Sequence, residues 1–113
     1  MVHFLAIDPS LELQRKLFHG LSDLSRLAIL RALERERRVS EVVELTGLSQ
    51  PNVSKHLACL WGCGLVSREK RGREVYYSAI EGIDALLAAA VAVLDVAGET
   101  MGCCPLTAAT VET

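Results

Sequence analysis

The stretch from Ser49 to Gly64 constrains the fold more than any other part of the chain, because it reads as one helix with two distinct faces. Ser49 can cap its start by accepting a backbone N–H, and Pro51 suits the first turn, where its missing donor costs little. Gly62 and Gly64 predict where the helix ends. The apolar residues recur at helical spacing and predict a stripe that faces a core: Val53, Leu57 and Leu60.

A second stripe of the same helix lies about a quarter-turn from the apolar one. It consists of Asn52, His56, Cys59 and Cys63. The polar N-terminal half predicts contact with a partner, and the other half places two thiols one helical turn apart.

Two further helices precede this stretch. Asp8 and Pro9 start the first, and Ser22 or Asp23 caps the second, which is predicted to run from about Leu24 to Arg35. Residues expected on their buried faces include Leu13, Leu17, Phe18, Leu21, Leu24, Leu27, Ala28, Leu30 and Ala32. The charged run from Glu34 to Arg38 reads as a solvated helix end and turn.

A short third helix, capped by Ser40, leads through Thr46-Gly47-Leu48 into the central helix. Two helices joined by a short turn that contains glycine predict a helix-turn-helix over about residues 40–62.

After Gly64 the hydrophobic period changes to that of strands. The segments Leu65–Lys70 and Glu74–Ser78 predict a hairpin over about residues 65–79, with Gly72 supplying the positive φ of the turn. Four cations cluster near its tip: Arg68, Lys70, Arg71 and Arg73. Such a tip is either a solubility device or, beside a helix-turn-helix, a wing that contacts DNA.

The last predicted helix, Glu81 to Ala97, is small and apolar on nearly every side, so it must be buried on every side. A second copy of the chain is the expected cover, and an ordinary buried helix of a monomer is the alternative. A flexible tail over 98–113, with Cys103 and Cys104, is expected to follow.

The length of 113 residues fits one domain over 1–113, and the net charge of −2 argues against indiscriminate binding of polyanions. Asp8 interrupts the apolar start and no basic segment precedes it, so no signal peptide is expected. The most apolar run, Ala85–Leu94, is too short to span a bilayer. We therefore expect a cytoplasmic protein with reduced cysteines and no membrane partner.

The order of helix, helix, helix-turn-helix, basic hairpin and apolar helix resembles the ArsR/SmtB family of winged-helix metalloregulatory repressors. The resemblance covers about residues 13–97 and is carried by LSDLSRLAIL (Leu21–Leu30), LSQPNVSKHL (Leu48–Leu57), Gly64–Val66 and Arg71–Tyr77. Leu24 stands where the family usually has proline. The implied fold is mainly α with a small β-hairpin, a winged helix-turn-helix that forms a homodimer through its terminal helices. The implied function is a repressor, and not an enzyme, that binds palindromic operator DNA as a metal-free dimer.

The metal sites of this family differ between members. The helix before the turn lacks the Cys-x-Cys of one site, and the last helix has Asp84 and Asp95 but no His for another. The remaining pattern resembles a cadmium- and lead-sensing branch, in which two recognition-helix cysteines join a third from the partner's tail. By that resemblance Cys59 and Cys63 pair with Cys103 or Cys104, and Cd(II) or Pb(II) is the effector that releases the DNA.

The chemistry of thiolates fits this interpretation, since soft sulfur ligands select Cd(II), Pb(II), Hg(II) or As(III) over Mg(II) or Ca(II). Three alternatives stay open for Cys59 and Cys63: small buried hydrophobes, a disulfide, or a sensor of As(III), Hg(II) or oxidants. A disulfide needs Cβ atoms about 3.8 Å apart, closer than one helical turn provides. His56 shares their stripe as a possible fourth ligand but by resemblance faces DNA.

The predicted DNA contacts are side chains of the kinds that bond base edges and phosphates. On the recognition helix and the wing they are Ser49, Gln50, Asn52, Ser54, Lys55, His56, Arg71 and Arg73.

Overall fold

The structure, a computed structural model, describes residues 8–102, so Cys103 and Cys104 lie outside the described residues. Its elements are α1 (Pro9–Gly20), α2 (Leu24–Ala32), β1 (Arg37–Arg38), α3 (Val39–Thr46), α4 (Gln50–Gly62), β2 (Val66–Arg71), β3 (Glu74–Ala79) and α5 (Ile83–Gly102). The predicted fold class, a mainly α winged helix-turn-helix with a small hairpin, is confirmed.

Carboxylates begin the first three helices. Asp8 accepts the backbone N–H of Ser10 at 3.0 Å, and Asp23 accepts that of Arg26 at 3.0 Å. The predicted cap of the third helix at Ser40 is wrong. That helix begins after Arg38, whose backbone N–H donates to the carboxylate of Glu41 in the first turn at 2.9 Å.

The turn between α3 and α4 follows from two local features. Gly47 ends α3 with φ 74°, a left-handed conformation that costs glycine little. The Thr46 hydroxyl donates to the carbonyl of Val42 at 2.7 Å and accepts the N–H of Leu48 at 3.3 Å. Ser49 then caps α4 by accepting the N–H of Asn52 at 3.3 Å, as predicted.

The end of α4 depends on Gly64 rather than on both predicted glycines. Gly62 is still helical, whereas Gly64 has φ 78°. The N–H of Leu65 reaches the carbonyl of Leu60 at 2.9 Å, and that of Gly64 reaches Trp61 at 3.0 Å. This pair of bonds is a Schellman ending, which turns the chain directly into β2.

A single apolar cluster holds the helices and the hairpin together, and α4 contributes three of its most buried side chains. The buried members are Leu21, Ile29, Leu30, Leu33, Val42, Val53, Leu57, Leu60, Leu65, Val66 and Ile83. The predicted inward stripe of α4 is therefore confirmed.

The sheet has a strand that the sequence analysis missed. Its order is β1-β3-β2, all antiparallel, with Arg37 opposite Tyr77 and Arg38 opposite Tyr76. The interpretation of Glu34–Arg38 as wholly solvated turn is wrong for its last two residues. Arg37 is half-buried, and its guanidinium donates to the carbonyl of Ala32 at 2.6 Å. Ala32 is the last residue of α2, which therefore ends three residues before its predicted boundary.

The terminal helices leave apolar surface uncovered within one chain. Leu13, Phe18 and Leu24, which were expected to be buried, are 66%, 55% and 66% exposed. Helix α5 continues to Gly102, five residues beyond its predicted end, so residues 98–102 are not part of a flexible tail. The argument from length against a bilayer span was also wrong, since α5 is long and apolar enough to cross one by length and composition alone.

Replacing Leu57 by alanine should lower the free energy of unfolding by about 2–5 kcal/mol, because its side chain is fully buried and would leave a cavity. Chemical denaturation of the reduced protein measures the change. Leu45→Ala is the matched control: Leu45 is 57% exposed, and its replacement should cost about 0.5 kcal/mol or less. Equal losses in the two variants would contradict the described core.

Candidate nucleic-acid interface and thiol pocket

The N-terminal half of α4 presents a polar surface to solvent. Gln50, Asn52, Ser54 and Lys55 are exposed, and His56 is half-buried. The Ser49 hydroxyl accepts the N–H of Asn52, so its oxygen is already used as a cap. A helix N-terminus carries partial positive charge, and this one is surrounded by side chains that donate hydrogen bonds. The arrangement suits a phosphate backbone with base edges beyond it.

The wing ends in a two-residue turn, Gly72-Arg73, with Gly72 at φ 62°. Arg73 is exposed and forms no ion pair or hydrogen bond with any residue in the range 8–102. Its guanidinium is therefore available to a phosphate.

Arg71 differs from Arg73 because carboxylates already engage it. Its guanidinium donates to both oxygens of Glu36 at 2.7 and 2.8 Å and contacts Glu69. It also lies 4.8 Å from the ring centroid of Tyr76. The hydrogen bond to Glu36 makes the largest contribution to raising the pKa of Arg71, and the hydrogen bond to Glu69 makes the next largest. A phosphate would therefore have to compete with Glu36 for this side chain.

A stacked pair joins the wing to the recognition helix. The Arg68 guanidinium of β2 lies 3.7 Å from the ring centroid of Trp61, which stands on α4 between the two cysteines. Contact of this kind stabilises exposed sites by about 0.5–1 kcal/mol. Movement of the last turn of α4 would thus reach the wing through one side-chain contact.

The two cysteines of α4 are exposed free thiols that line one cavity. The interpretation as buried hydrophobes is therefore wrong for both. The N–H of Cys63 donates to the carbonyl of Cys59 at 3.0 Å, the last hydrogen bond of the helix. The cavity between α1 and α4 measures about 490 Å³.

The lining of this thiol pocket is cationic. Basic side chains from α1 and α2 contribute to it: Arg15, Lys16, His19 and Arg26. No Asp or Glu is among the lining residues in the described part of the chain. Arg26 is fixed in place, because its Nε donates to the carbonyl of Gly20 at 2.6 Å. Arg15 instead pairs with Glu12 outside the cavity, and its hydrogen bond lowers the pKa of Glu12.

Residues 8–102 contain no group of three His, Cys, Asp or Glu side chains that could hold a metal ion. Two thiols therefore make up the donor set that α4 offers. The other predicted ligands, Cys103 and Cys104, lie outside the described residues, so the predicted site of three thiolates stays a prediction.

The sequence analysis missed the cations around the thiols and the partners of the wing. Arg15, Lys16 and His19 share a face of α1, but nothing in the sequence indicates that α1 crosses beside α4. The contact between α4 and the wing had a clearer signal in the sequence, because its α4 member, Trp61, is the single tryptophan and lies between the two cysteines.

The fold and the exposed polar face of α4 place the chain in the class of winged helix-turn-helix domains. A sequence model described as "Bacterial regulatory protein, arsR family" matches residues 23–68. A solved homodimeric winged helix-turn-helix DNA-binding domain from Mycobacterium bovis, described as a possible ArsR-family transcriptional regulator, superposes with a TM-score of 0.64 at 29% identity, covering 78% of this chain and 82% of that one.

Two relatives agree with this class. The chain is 45% identical over 64 residues to a probable mercury resistance operon repressor of Streptomyces lividans, covering 56% of this chain and 51% of that protein. It is 41% identical over 64 residues to the HTH-type transcriptional regulator CmtR of Mycobacterium bovis, and the match covers 56% of this chain and 54% of that protein. The chain contains an arsR-family helix-turn-helix domain, and it spans about half the length of these two relatives.

Arg68→Gln should destabilise the protein by about 0.5–1 kcal/mol and shift the emission of Trp61 to longer wavelength, because the ring loses the guanidinium that covers it. Denaturation followed by circular dichroism, with fluorescence of the folded state, measures both. Arg73→Gln is the control on the same wing and should change neither quantity. An unshifted Trp61 spectrum in Arg68→Gln would contradict the stacked pair.

Proposed function

We propose that this protein is a transcriptional repressor that binds a palindromic operator as a metal-free homodimer and releases it when a thiophilic ion binds. The observation that carries the proposal is the division of α4, whose N-terminal half exposes hydrogen-bonding side chains and whose C-terminal half exposes two thiols. DNA reading and ion sensing then share one helix.

The DNA-binding part of the proposal rests on side-chain chemistry and exposure. Gln50, Asn52 and Ser54 of α4 can bond base edges or phosphates, and Lys55 supplies a charge for the backbone. Arg73 adds a cation at the wing tip, and Arg71 adds a second when phosphate displaces Glu36. His56 and Ser49 complete the proposed contact set.

The homodimer part rests on apolar surface that one chain leaves open. A groove of about 590 Å³ lies between α2 and α5, lined by residues that include Leu24, Leu87, Val91 and Leu94. Leu94 also lines a second apolar groove, beside Phe18 of α1. A second copy would cover both grooves, and the homodimeric M. bovis domain supports this arrangement. Two recognition helices about 34–36 Å apart would then meet successive turns of a palindromic operator.

The ion-sensing part rests on the donor set. Cys59 and Cys63 are soft ligands on one helix face, and two donors hold an ion weakly. We propose that Cys103 or Cys104, from the partner's tail, supplies the third thiolate. Cd(II) and Pb(II) are the proposed effectors, because this ligand set resembles that of the cadmium- and lead-sensing branch.

Release follows if the ion binds more tightly to a dimer geometry that does not fit DNA. Cys59 and Cys63 would join the end of α4 to the partner's tail and so bias the relative position of the two reading helices. The contact between Trp61 and Arg68 would carry the same displacement to the wing. Three thiolates around a divalent ion also add negative charge beside the DNA surface.

A second candidate is a repressor of the same architecture that senses Hg(II), As(III) or oxidants through the same thiols. The relative described as a probable mercury resistance operon repressor, at 45% identity, favours Hg(II) among these. Titration with Cd(II), Pb(II), Hg(II) and As(III), read by ultraviolet thiolate absorption and by operator release, ranks the effectors.

Cys59→Ser and Cys63→Ser should each leave operator affinity unchanged and abolish ion-induced release, because both thiols are exposed and away from the polar half of α4. Fluorescence anisotropy of a labelled operator, with and without Cd(II), measures both. Ala58→Ser, an exposed neighbour on the same helix, is the control and should keep full release.

The same experiment with a Cys103→Ser/Cys104→Ser double variant tests whether a tail cysteine supplies the third thiolate. Cd(II) affinity should fall markedly, because the third thiolate is lost. Unchanged affinity would refute the tail ligand, and loss of operator binding in Cys59→Ser and Cys63→Ser would refute the sensing role of α4.

Leu94→Glu should convert a dimer into a folded monomer that no longer binds operator, because a charge would be buried where the two apolar grooves meet. Sedimentation velocity, with circular dichroism to verify folding, tests the change. Thr100→Glu, exposed on the same helix outside both grooves, should remain dimeric. A monomeric wild type, or one that floats with lipid vesicles, would contradict the proposed role of α5.

A further inference from the structure

From the lining of the thiol pocket we infer that Cys59 and Cys63 take their ion from a complex with a small anionic thiol rather than from the free cation. The inference rests on the proposed ion-sensing function and adds the chemical class of the donor. It concerns the cations of α1 and α2, to which the proposed function gives no role.

The first support is the charge of the cavity. Its lining combines two thiols with Arg15, Lys16, His19 and Arg26, and contains no carboxylate within the described residues. A cationic lining of this kind attracts anions and opposes the approach of a free divalent cation. The chain as a whole has a net charge of −2, so this cationic lining is a local feature.

The second support is the state of these cations. Lys16 is exposed and forms no ion pair with any residue between 8 and 102. Arg26 donates to the backbone carbonyls of Gly20 at 2.6 Å and His19 at 3.4 Å, which hold the guanidinium without neutralising it. Arg15 contributes less, because Glu12 neutralises it. Glu12 also acts electrostatically on Lys16, so one carboxylate faces two cations of α1 while Arg26 adds a third, and the group keeps a net positive charge.

The third support is size. A volume of about 490 Å³ lies within the range of small-molecule pockets, about 300–1,000 Å³, and far exceeds what one ion requires. This volume leaves room for a carboxylate-bearing thiol of a few carbon atoms beside the two cysteines, and Lys16 and Arg26 of the same lining are the cations that its carboxylate would meet.

The transfer step is a ligand exchange without oxidation or reduction. The Cys59 and Cys63 thiolates form two new bonds to the ion of a complex M(SR)₂, and one M–SR bond breaks. With one carboxylate on each R, the two Cys thiolates together and M(SR)₂ carry −2 each. The products, M(S-Cys)₂(SR) and the free thiolate, also carry −2 each, so the total charge of −4 is unchanged. The retained RS⁻ later leaves when a tail thiolate replaces it.

The test uses the full-length reduced protein and Cd(II) complexes of three thiols that differ in charge: 3-mercaptopropionate, 2-mercaptoethanol and cysteamine. Stopped-flow fluorescence of Trp61 follows transfer, with rates normalised to the free-ion concentration of each mixture. Transfer should be fastest from the anionic complex and slowest from the cationic one. Lys16→Gln should lower the anionic rate by about two- to fivefold, as expected for one partly solvated charge pair, and Lys16→Arg should restore it.

A second measurement needs no metal. Alkylation of Cys59 and Cys63 by iodoacetate, relative to neutral iodoacetamide, should fall about two- to fivefold in Lys16→Gln. The exposed wing control Lys70→Gln, which does not line the cavity, should behave as wild type in both measurements. Both effects should shrink at 1 M salt, where charges are screened within about 3 Å.

The possible failures are distinguishable. Equal normalised rates from all three complexes, or an unchanged preference in Lys16→Gln, would overturn the inference and leave the proposed sensor intact. Absence of Cd(II) transfer even from the neutral complex would overturn both.

Discussion

Helix α4 is held in place by Val53, Leu57 and Leu60, whose side chains have lost nearly all contact with water. Burial of side chains of this size contributes about 1.5–3 kcal/mol each, more than any exposed ion pair in the protein can. Both exposed surfaces of α4 depend on this anchor, because the orientation of the buried stripe fixes where the polar residues and the thiols point. A rotation of the helix that moved the thiols would therefore have to disturb the core.

The chain combines two kinds of charged surface with opposite behaviour. At the wing, Glu36 and Glu69 engage Arg71, so that part of the surface is largely self-neutralised while Arg73 stays available. Around the thiols, the cavity lining within residues 8–102 contains no carboxylate, and Glu12, which lies outside that lining, acts on Lys16 but not on Arg26. Salt should screen the charges at the wing and those around the thiols alike. Only the charges around the thiols affect which ligand complex reaches the cysteines. Local charge thus matters more here than the net charge.

Periodicity predicted most of the fold, because the core stripe of α4, the glycine turn at Gly47 and the hairpin at Gly72 are determined by neighbouring residues. The missed strand β1 involves a contact between distant segments, whereas the wrong cap at Ser40 and the wrong end of α5 concern local features. Strand β1 exists because Arg37 and Arg38 pair with β3, and α5 runs past Gly98, where one glycine costs only about 1 kcal/mol. The same limit applies to the site. The thiols and the polar face of α4 were predictable, whereas the approach of Lys16 from α1 was not.

The hydrogen bond from the N–H of Cys63 to the carbonyl of Cys59 has a consequence for ion selectivity. Cys59 lies inside the helix and Cys63 is its C-cap residue, so this bond and the two Schellman bonds of Gly64 and Leu65 fix the backbone spacing of the two cysteines. Opening a bond of this kind costs about 0.5–1.5 kcal/mol. Ions of different radius can therefore be accommodated by fraying the last turn of α4, at the cost of these few hydrogen bonds.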